Sequence, residues 1–384
     1  LQNNQKKPDA IAITTSLNVS KQDAMISEFM SSQTKMGISI IATFLVSLIL
    51  TGIIIPQILL IAYRKNLFDE PDERKIHKGT IPRLGGIAFV PSIVFAVAAT
   101  IGISHSTPLT LPEITQSTAR TLSFGTCGLL LLYLVGIADD LVGIRYRAKF
   151  VVQIIVGIFL ICGGLYINNL HGFCGIYQWS PVAACLLTIL VTVFFVNAIN
   201  LIDGIDGLAS GLSAVALAFY GIVFAYCGDV YNALISFAAF GTLVQFFYYN
   251  VFGNPVMGKK IFMGDTGALC IGFIITYLSI SMSRVNTFSF AQVNPIVVAF
   301  SPMLVPCFDV LRVFFHRIRN GQSPFLPDRC HIHHKLLALG MSTPKAMCII
   351  LATSVFFVIG NIALSPFLNS AILLAIDLVV WTVA

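Results

Sequence analysis

From residue 38 onward the chain alternates long apolar runs with short polar breaks. A membrane crossing needs about 20 apolar residues, and eleven runs approach or exceed that length, at roughly 38–63, 84–104, 121–138, 150–168, 182–199, 208–226, 232–252, 267–282, 293–313, 344–362 and 366–384. Each is predicted to be an α-helix, because a segment in lipid must satisfy its backbone groups internally. The stretch LSPFLN is expected to separate the last two. The pattern therefore predicts an all-α polytopic membrane protein.

The polar breaks are not equivalent. Arg64, Lys65, Arg74, Lys75, Lys78 and Arg83 follow the first run, and Arg145, Arg147 and Lys149 follow the third. Lys259 and Lys260 follow the seventh, and Arg312, Arg317, Arg319, Arg329, Lys335 and Lys345 lie in or beside the break after the ninth. The alternate breaks hold little positive charge beyond Arg120 and Arg284. Positive-inside logic makes the basic breaks cytoplasmic, with the N-terminus outside and the C-terminus inside. Arg64, Lys65, Arg74 and Lys75 also suit anchors at lipid headgroups.

Composition agrees. Of 384 residues, 57% are hydrophobic and 10% charged, against about 25% charged in soluble domains. Nine cysteines fall mostly inside apolar runs, which is not a disulfide framework. Residues 1–36 are polar, carry Lys6, Lys7, Lys21 and Lys35, and contain no apolar core of a signal peptide. They are read as a polar extension, with translation expected to start at an internal methionine such as Met36. Residues 37–384 then form a single polytopic domain, with polar loops at about 64–83, 139–149, 200–207, 253–266 and 314–343.

The motif-like acids all fall at the ends expected to be cytoplasmic. Asp139 and Asp140 end a run in GIADD. Asn197, Asn200, Asp203 and Asp206 follow the fifth in NAINLIDGIDG, and Asp265 precedes the eighth in FMGDTG. His331, His333 and His334 lie in CHIHH. The other face has only Glu113 and Asp229. Carboxylates and amide oxygens are hard ligands for Mg²⁺ or Mn²⁺, and nearby Lys and Arg suit phosphates. The set points to phosphoryl chemistry on a nucleotide or lipid phosphate. A transporter would instead place ionisable groups near span centres.

Each group also has a structural reading. Asp139-Asp140 also has a reading as a solvated helix end, Asp206 as a helix cap after the glycines break the helix, and FMGDTG as a turn. CHIHH offers zinc ligand types, although so short a stretch cannot bring them all to one metal. Asp309 and Arg312, three residues apart, suit an internal ion pair.

Together the motifs RKIHKGTIPRLGG (74–86), GIADDLVGIRYRAKF (136–150), NAINLIDGIDGLASG (197–211), FMGDTGAL (262–269) and PDRCHIHHKLLALG (327–340) resemble the polyprenyl-phosphate N-acetylhexosamine-1-phosphate transferases, glycosyltransferase family 4. PRLGG and DRCHIHH look like its WecA/TagO branch rather than the related MraY branch. The resemblance implies transfer of a sugar-1-phosphate from a UDP-sugar to undecaprenyl phosphate with release of UMP, the branch favouring GlcNAc-1-phosphate over that of another UDP-N-acetylhexosamine or its deoxy derivative. It further implies a site facing the cytoplasm of the bacterial inner membrane, Mg²⁺ (or Mn²⁺) as cofactor, no nucleic acid, and the option of a homodimer. By motif position, Asp265 and Asn200 resemble metal ligands. Asp139, with Asp140 beside it, resembles the catalytic acid that deprotonates or orients the lipid phosphate. Lys149 and Arg329 resemble phosphate-binding cations. Lys78, Arg83, Asn197, Asp203, Asp206, His331, His333 and His334 resemble the nucleotide- and sugar-binding set. Arg145 and Arg147 crowd Lys149, leaving open which cation meets phosphate. The segment from His316 to Gly340 is expected to be a loop that closes over the donor.

Overall fold

The computed structural model describes residues 10–68, 81–107, 111–285, 293–323 and 330–383, with side chains from residue 33 onward. Its helices are α1 (Ala10–Lys65), α2 (Phe89–Ser106), α3 (Gln116–Val142), α4 (Tyr146–Cys162), α5 (Pro181–Ile202), α6 (Leu208–Cys227) and α7 (Val230–Val251). They continue with α8 (Gly264–Ser283), α9 (Pro295–Phe300), α10 (Leu304–Arg319), α11 (Ile332–Ala338), α12 (Thr343–Leu364) and α13 (Ser370–Val383). Among the described residues nine helical segments are long and apolar enough to cross a membrane, α9 and α10 counting as one. This is an all-α multi-pass membrane protein in its spanning part.

Several boundaries depart from the sequence pattern for local reasons. The run read at 150–168 gives a helix only to Cys162, because Gly163 and Gly164, the latter at φ +81°, turn the chain out. At 17 residues α4 is shorter than the expected span, and α13 is shorter still. Between α4 and α5 a small antiparallel hairpin, β1 (Asn169–Phe173) with β2 (Ile176–Gln178), interrupts the all-helical expectation. Its turn uses left-handed residues at Cys174 and Gly175. The ninth run is broken: α9 passes through a 3-10 turn at Ser301–Met303 into α10, where Pro302 and Pro306 remove backbone donors. The LSPFLN stretch does separate α12 from α13.

Helix α8 is the axis of the bundle, buried along almost its whole length and packed by α3, α5 and α6. Outward-facing side chains such as Leu134, Leu186, Leu190, Ile222 and Ile359 are apolar and exposed, as lipid requires. Glycines bring the helices close at the end that holds the acids. A Cβ on Gly136 of α3 would lie 2.5 Å from the Thr266 Cα, and one on Gly86 would lie 2.0 Å from the Gly267 N. The sequence motifs GIADD and PRLGG are thus partly packing motifs. Gly136→Ala is expected to destabilise the fold by about 1–3 kcal/mol through overpacking. Gly102→Ala, whose Cβ would meet nothing within 4 Å, serves as the control. Thermal unfolding in detergent checks this: the midpoint should fall for the first variant and hold or rise for the second.

Candidate active site

Asp139 and Asp140 occupy the last turn of α3, and their carboxylates do different things. Asp140 Oδ1 accepts from the Asp265 backbone N–H at 2.7 Å. Its Oδ2 accepts from the Thr266 N–H at 3.0 Å and the Thr266 hydroxyl at 2.5 Å. A carboxylate on the open donors of a helix start, at the positive end of its dipole, fastens α8 to α3. Gly264, at φ +71°, makes the approach feasible, since a Cβ there would lie 2.2 Å from the Arg83 carbonyl oxygen and 2.7 Å from Asp140. Expected beside Asp139 in catalysis, Asp140 has the geometry of the group that sets the position of Asp265.

Asp139 points the other way. Its Oδ1 accepts from the Ile144 N–H at 2.6 Å, and its Oδ2 meets Lys149 Nζ at 2.6 Å. Lys149 also reaches Asp265 Oδ2 at 3.3 Å. One ammonium therefore bridges two carboxylates from different helices. Asp139 is almost wholly shielded at 5% side-chain exposure, while Asp265 remains 33% accessible. Arg145 and Arg147 face outward, Arg147 donating to the neighbouring Tyr146 hydroxyl. Lys149 is the cation of this motif that turns into the cluster.

The α5–α6 turn forms the next wall. Helix α5 ends at Ile202 and α6 begins at Leu208, with Gly207 at φ +77° donating its N–H to Asn250 Oδ1. The helix break expected at the glycines is present. Asp206 does not cap the new helix; it pairs with Lys260 at 2.6 Å, both side chains largely shielded. Asn197 binds the buried Gln153 of α4 and the Val193 carbonyl, tying α5 to α4. Asn200 lies half-buried in the last turn of α5. Asp203 is exposed at the C-terminal end of α5. Its carboxyl pKa is raised by the protein packed around it, against the pull of Arg83, with Asp265, Asp206 and Asp140 adding repulsion.

The histidines close onto this turn. His333 is buried, and a Cβ on Gly204 would lie 2.0 Å from its Nε2. Its ring stacks parallel to His331, with centroids 5.7 Å apart, and packs against His334 at 4.2 Å. Burial, then the neighbouring His334 and His331, push the His333 pKa down to about 3, so its ring is neutral at neutral pH. Asp309 and Arg312 form the expected ion pair at 2.8 Å. The expected long loop is smaller than read: 316–319 continue α10, and 332–338 form α11. Lys78 and Arg329 lie outside the described residues.

The structure thus gathers Arg83, Asp139, Asp140, Lys149, Asp203, Asp206 and Asp265, with His333 against the same turn and His331 and His334 packed on His333. Lys260, Gln153 and Asn250 belong to the surrounding support and were not singled out by sequence. A positive charge after α7 was visible for Lys260, but nothing local marked its partner as Asp206. A separate cavity of about 450 Å³ lies near the hairpin, lined by Tyr166, Asn168, His171, Trp179 and Arg284 among others, and contains none of these groups.

The donor set fits a hard divalent cation. Five carboxylates, Asp139, Asp140, Asp203, Asp206 and Asp265, face three cations, Arg83, Lys149 and Lys260. The imbalance is concentrated in one partly shielded cluster and consists of oxygen donors. Among the described residues no three His, Cys, Asp or Glu side chains form a ready cage. Mg²⁺ commonly uses only one or two carboxylates and completes its shell with substrate phosphates and water.

Comparison with known proteins bears on the same residues. The Glycosyl transferase family 4 profile matches residues 122–283, from within α3 to the end of α8. A probable undecaprenyl-phosphate N-acetylglucosaminyl 1-phosphate transferase from Bacillus subtilis is 33% identical over 329 residues, covering 85% of each chain. The chain belongs to glycosyl transferase family 4. The undecaprenyl-phosphate alpha-N-acetylglucosaminyl 1-phosphate transferases of Yersinia pestis and Escherichia coli K12 are 32% and 30% identical to this family 4 transferase over 310 residues, 79% of this chain and 78% of theirs. The matched stretch of the transferase carries both bridged acids, Lys149 and the α5–α6 turn.

Proposed function

We propose that this transferase moves GlcNAc-1-phosphate from UDP-GlcNAc to undecaprenyl phosphate at the cytoplasmic face of the bacterial inner membrane. An oxygen of the lipid phosphate attacks the sugar-bearing phosphorus of the donor, the bond to the other phosphate breaks, and UMP leaves. The carrying observation is the Asp139–Lys149–Asp265 bridge at the ends of three helices, in a chain whose relatives bear that transferase name. A lipid acceptor and a soluble donor must meet at the membrane surface, and acids at helix ends lie at that depth.

Asp265 and Asn200 are the residues that would hold Mg²⁺, which supplies charge neutralisation on the diphosphate when bound. Asp140 fixes Asp265 by holding the start of α8. Asp139 and Lys149 serve the acceptor: Lys149 attracts its phosphate, and Asp139 orients the ammonium and takes a proton from the acceptor as Lys149 turns toward phosphate. Asp203, Asp206 and Arg83 line the nucleotide side, and the histidines close over the diphosphate and sugar. The basic breaks set the orientation by the positive-inside rule, with eleven apolar segments crossing or entering the bilayer.

Purified protein given undecaprenyl phosphate, Mg²⁺ and a panel of UDP-sugars should release UMP fastest with UDP-GlcNAc. Release should stop in excess EDTA and return with Mg²⁺. UMP release that does not need the lipid acceptor, or a complete mixture that releases no UMP with any UDP-sugar of the panel, would overturn the proposal.

A further inference from the structure

Asp309 is fully buried in α10 and is not one of the five carboxylates gathered at the candidate active site. Its carboxylate is nevertheless committed on both sides to the histidine segment. Oδ2 lies 2.7 Å from His331 Nδ1, while Oδ1 accepts from the Ile332 N–H at 2.8 Å and from Arg312 at 2.8 Å. Arg312 also donates to the Cys330 carbonyl. Three successive residues, Cys330 to Ile332, are thus tied to one buried ion pair. The ring held this way stacks on His333, and His333 rests on Gly204 of the aspartate turn.

A buried carboxylate is costly unless it is paired and hydrogen-bonded. Anchoring α11 would need only the Ile332 N–H. The contact with His331 does something more specific. An ionised carboxylate only accepts hydrogen bonds, so Nδ1 must carry a proton. In the neutral ring Nε2 then keeps its lone pair, and the orientation of the imidazole is fixed.

We propose that Asp309 is a positioning residue for the transferase reaction, acting through His331 by holding it as the Nδ1–H tautomer with Nε2 available as an acceptor. This rests on the transferase reading given above. Asp309→Asn is nearly isosteric and separates the two roles. Its amide oxygen can still accept from Ile332 and Arg312, preserving the anchor. Its amide nitrogen can only donate, so His331 Nδ1 must become the acceptor and the proton moves to Nε2.

The test combines two readouts on the full-length protein in detergent. Nitrogen-15 histidine NMR, with the His331 signal assigned by its loss in His331→Asn, should show Nδ1 protonated in the wild type and the opposite tautomer in Asp309→Asn. Turnover with UDP-GlcNAc should fall in Asp309→Asn by about 10- to 100-fold in kcat/KM, the scale of carboxylate partners that orient a functional imidazole. His331→Asn should fall at least as far, and the double variant should be no worse than the worse single one. A wild-type His331 without a proton on Nδ1 would overturn the proposal even if Asp309→Asn did not fold. So would wild-type kcat/KM in a folded Asp309→Asn, or multiplicative losses in the double variant. If the wild type turned over no UDP-sugar, the transferase reading would fail while the NMR comparison still decided the tautomer.

Discussion

Asp265→Asn is expected to lower turnover by about 10³-fold or more, with the protein still folded. Loss of a ligand that holds a charge-neutralising cation removes several kcal/mol from the transition state, and each 1.36 kcal/mol is about tenfold in rate. Asp265 is the more accessible of the two acids bridged by Lys149, which suits the metal-holding role proposed for it. Its backbone N–H, not its side chain, bonds Asp140. The substitution thus leaves the start of α8 fastened to α3. Donor binding should weaken as well, because the lost charge also serves the ground-state diphosphate. Steady-state UMP release, together with an unchanged thermal midpoint, checks the first half of this statement.

Asp139→Asn is expected to lower turnover by about 10²–10⁴-fold, the usual range for a positioned proton-transfer group. The amide oxygen can still accept from the Ile144 N–H, so the turn after α3 should survive. What is lost is the carboxylate 2.6 Å from Lys149. Lys149 would then pair with Asp265 alone, drawing the ammonium toward the donor side. The acceptor phosphate would meet neither an oriented cation nor a proton acceptor. Turnover measured at saturating lipid acceptor separates this from weaker acceptor binding: kcat itself should fall.

These two expectations also mark what was legible in the chain. GIADD, NAINLIDGIDG and FMGDTG stood out because carboxylates beside apolar runs have no lipid-facing use, and the structure brings acids of all three together. The sequence could not divide labour within them. Asp139 and Asp140 are adjacent and chemically identical, yet one caps α8 and the other binds Lys149, a difference set by where Gly264 and Gly136 allow α8 to approach. Long-range partners were equally hidden. Lys260 meets Asp206 across 54 positions and Gln153 meets Asn197 across 44, with no local pattern to link them.

The fold shows the same division. Hydrophobic period and length gave the spanning helices, since lipid demands both. The hairpin at 169–178 was missed because it is short, mixed in polarity and lies between apolar runs. Helix α11 was read as loop because it is a short, polar helix in which only His333 is buried; its anchor, Asp309, lies 22 positions away from His331. Packing glycines carried no signal of their own in the sequence. Their role appears only when the facing backbone is known, as at Gly86 against Gly267.

The most direct measurement is calorimetric binding of UDP-GlcNAc, in the presence of Mg²⁺, to Asp139→Asn and Asp265→Asn beside the wild type. The account predicts that Asp139→Asn binds the donor within about threefold of wild type despite its lost turnover, because the proton-transfer group acts on the acceptor. Asp265→Asn should bind at least about tenfold more weakly, since its carboxylate serves the cation that the donor diphosphate shares. Equal loss of donor binding in the two variants would contradict the division between an acceptor-side Asp139 and a donor-side Asp265.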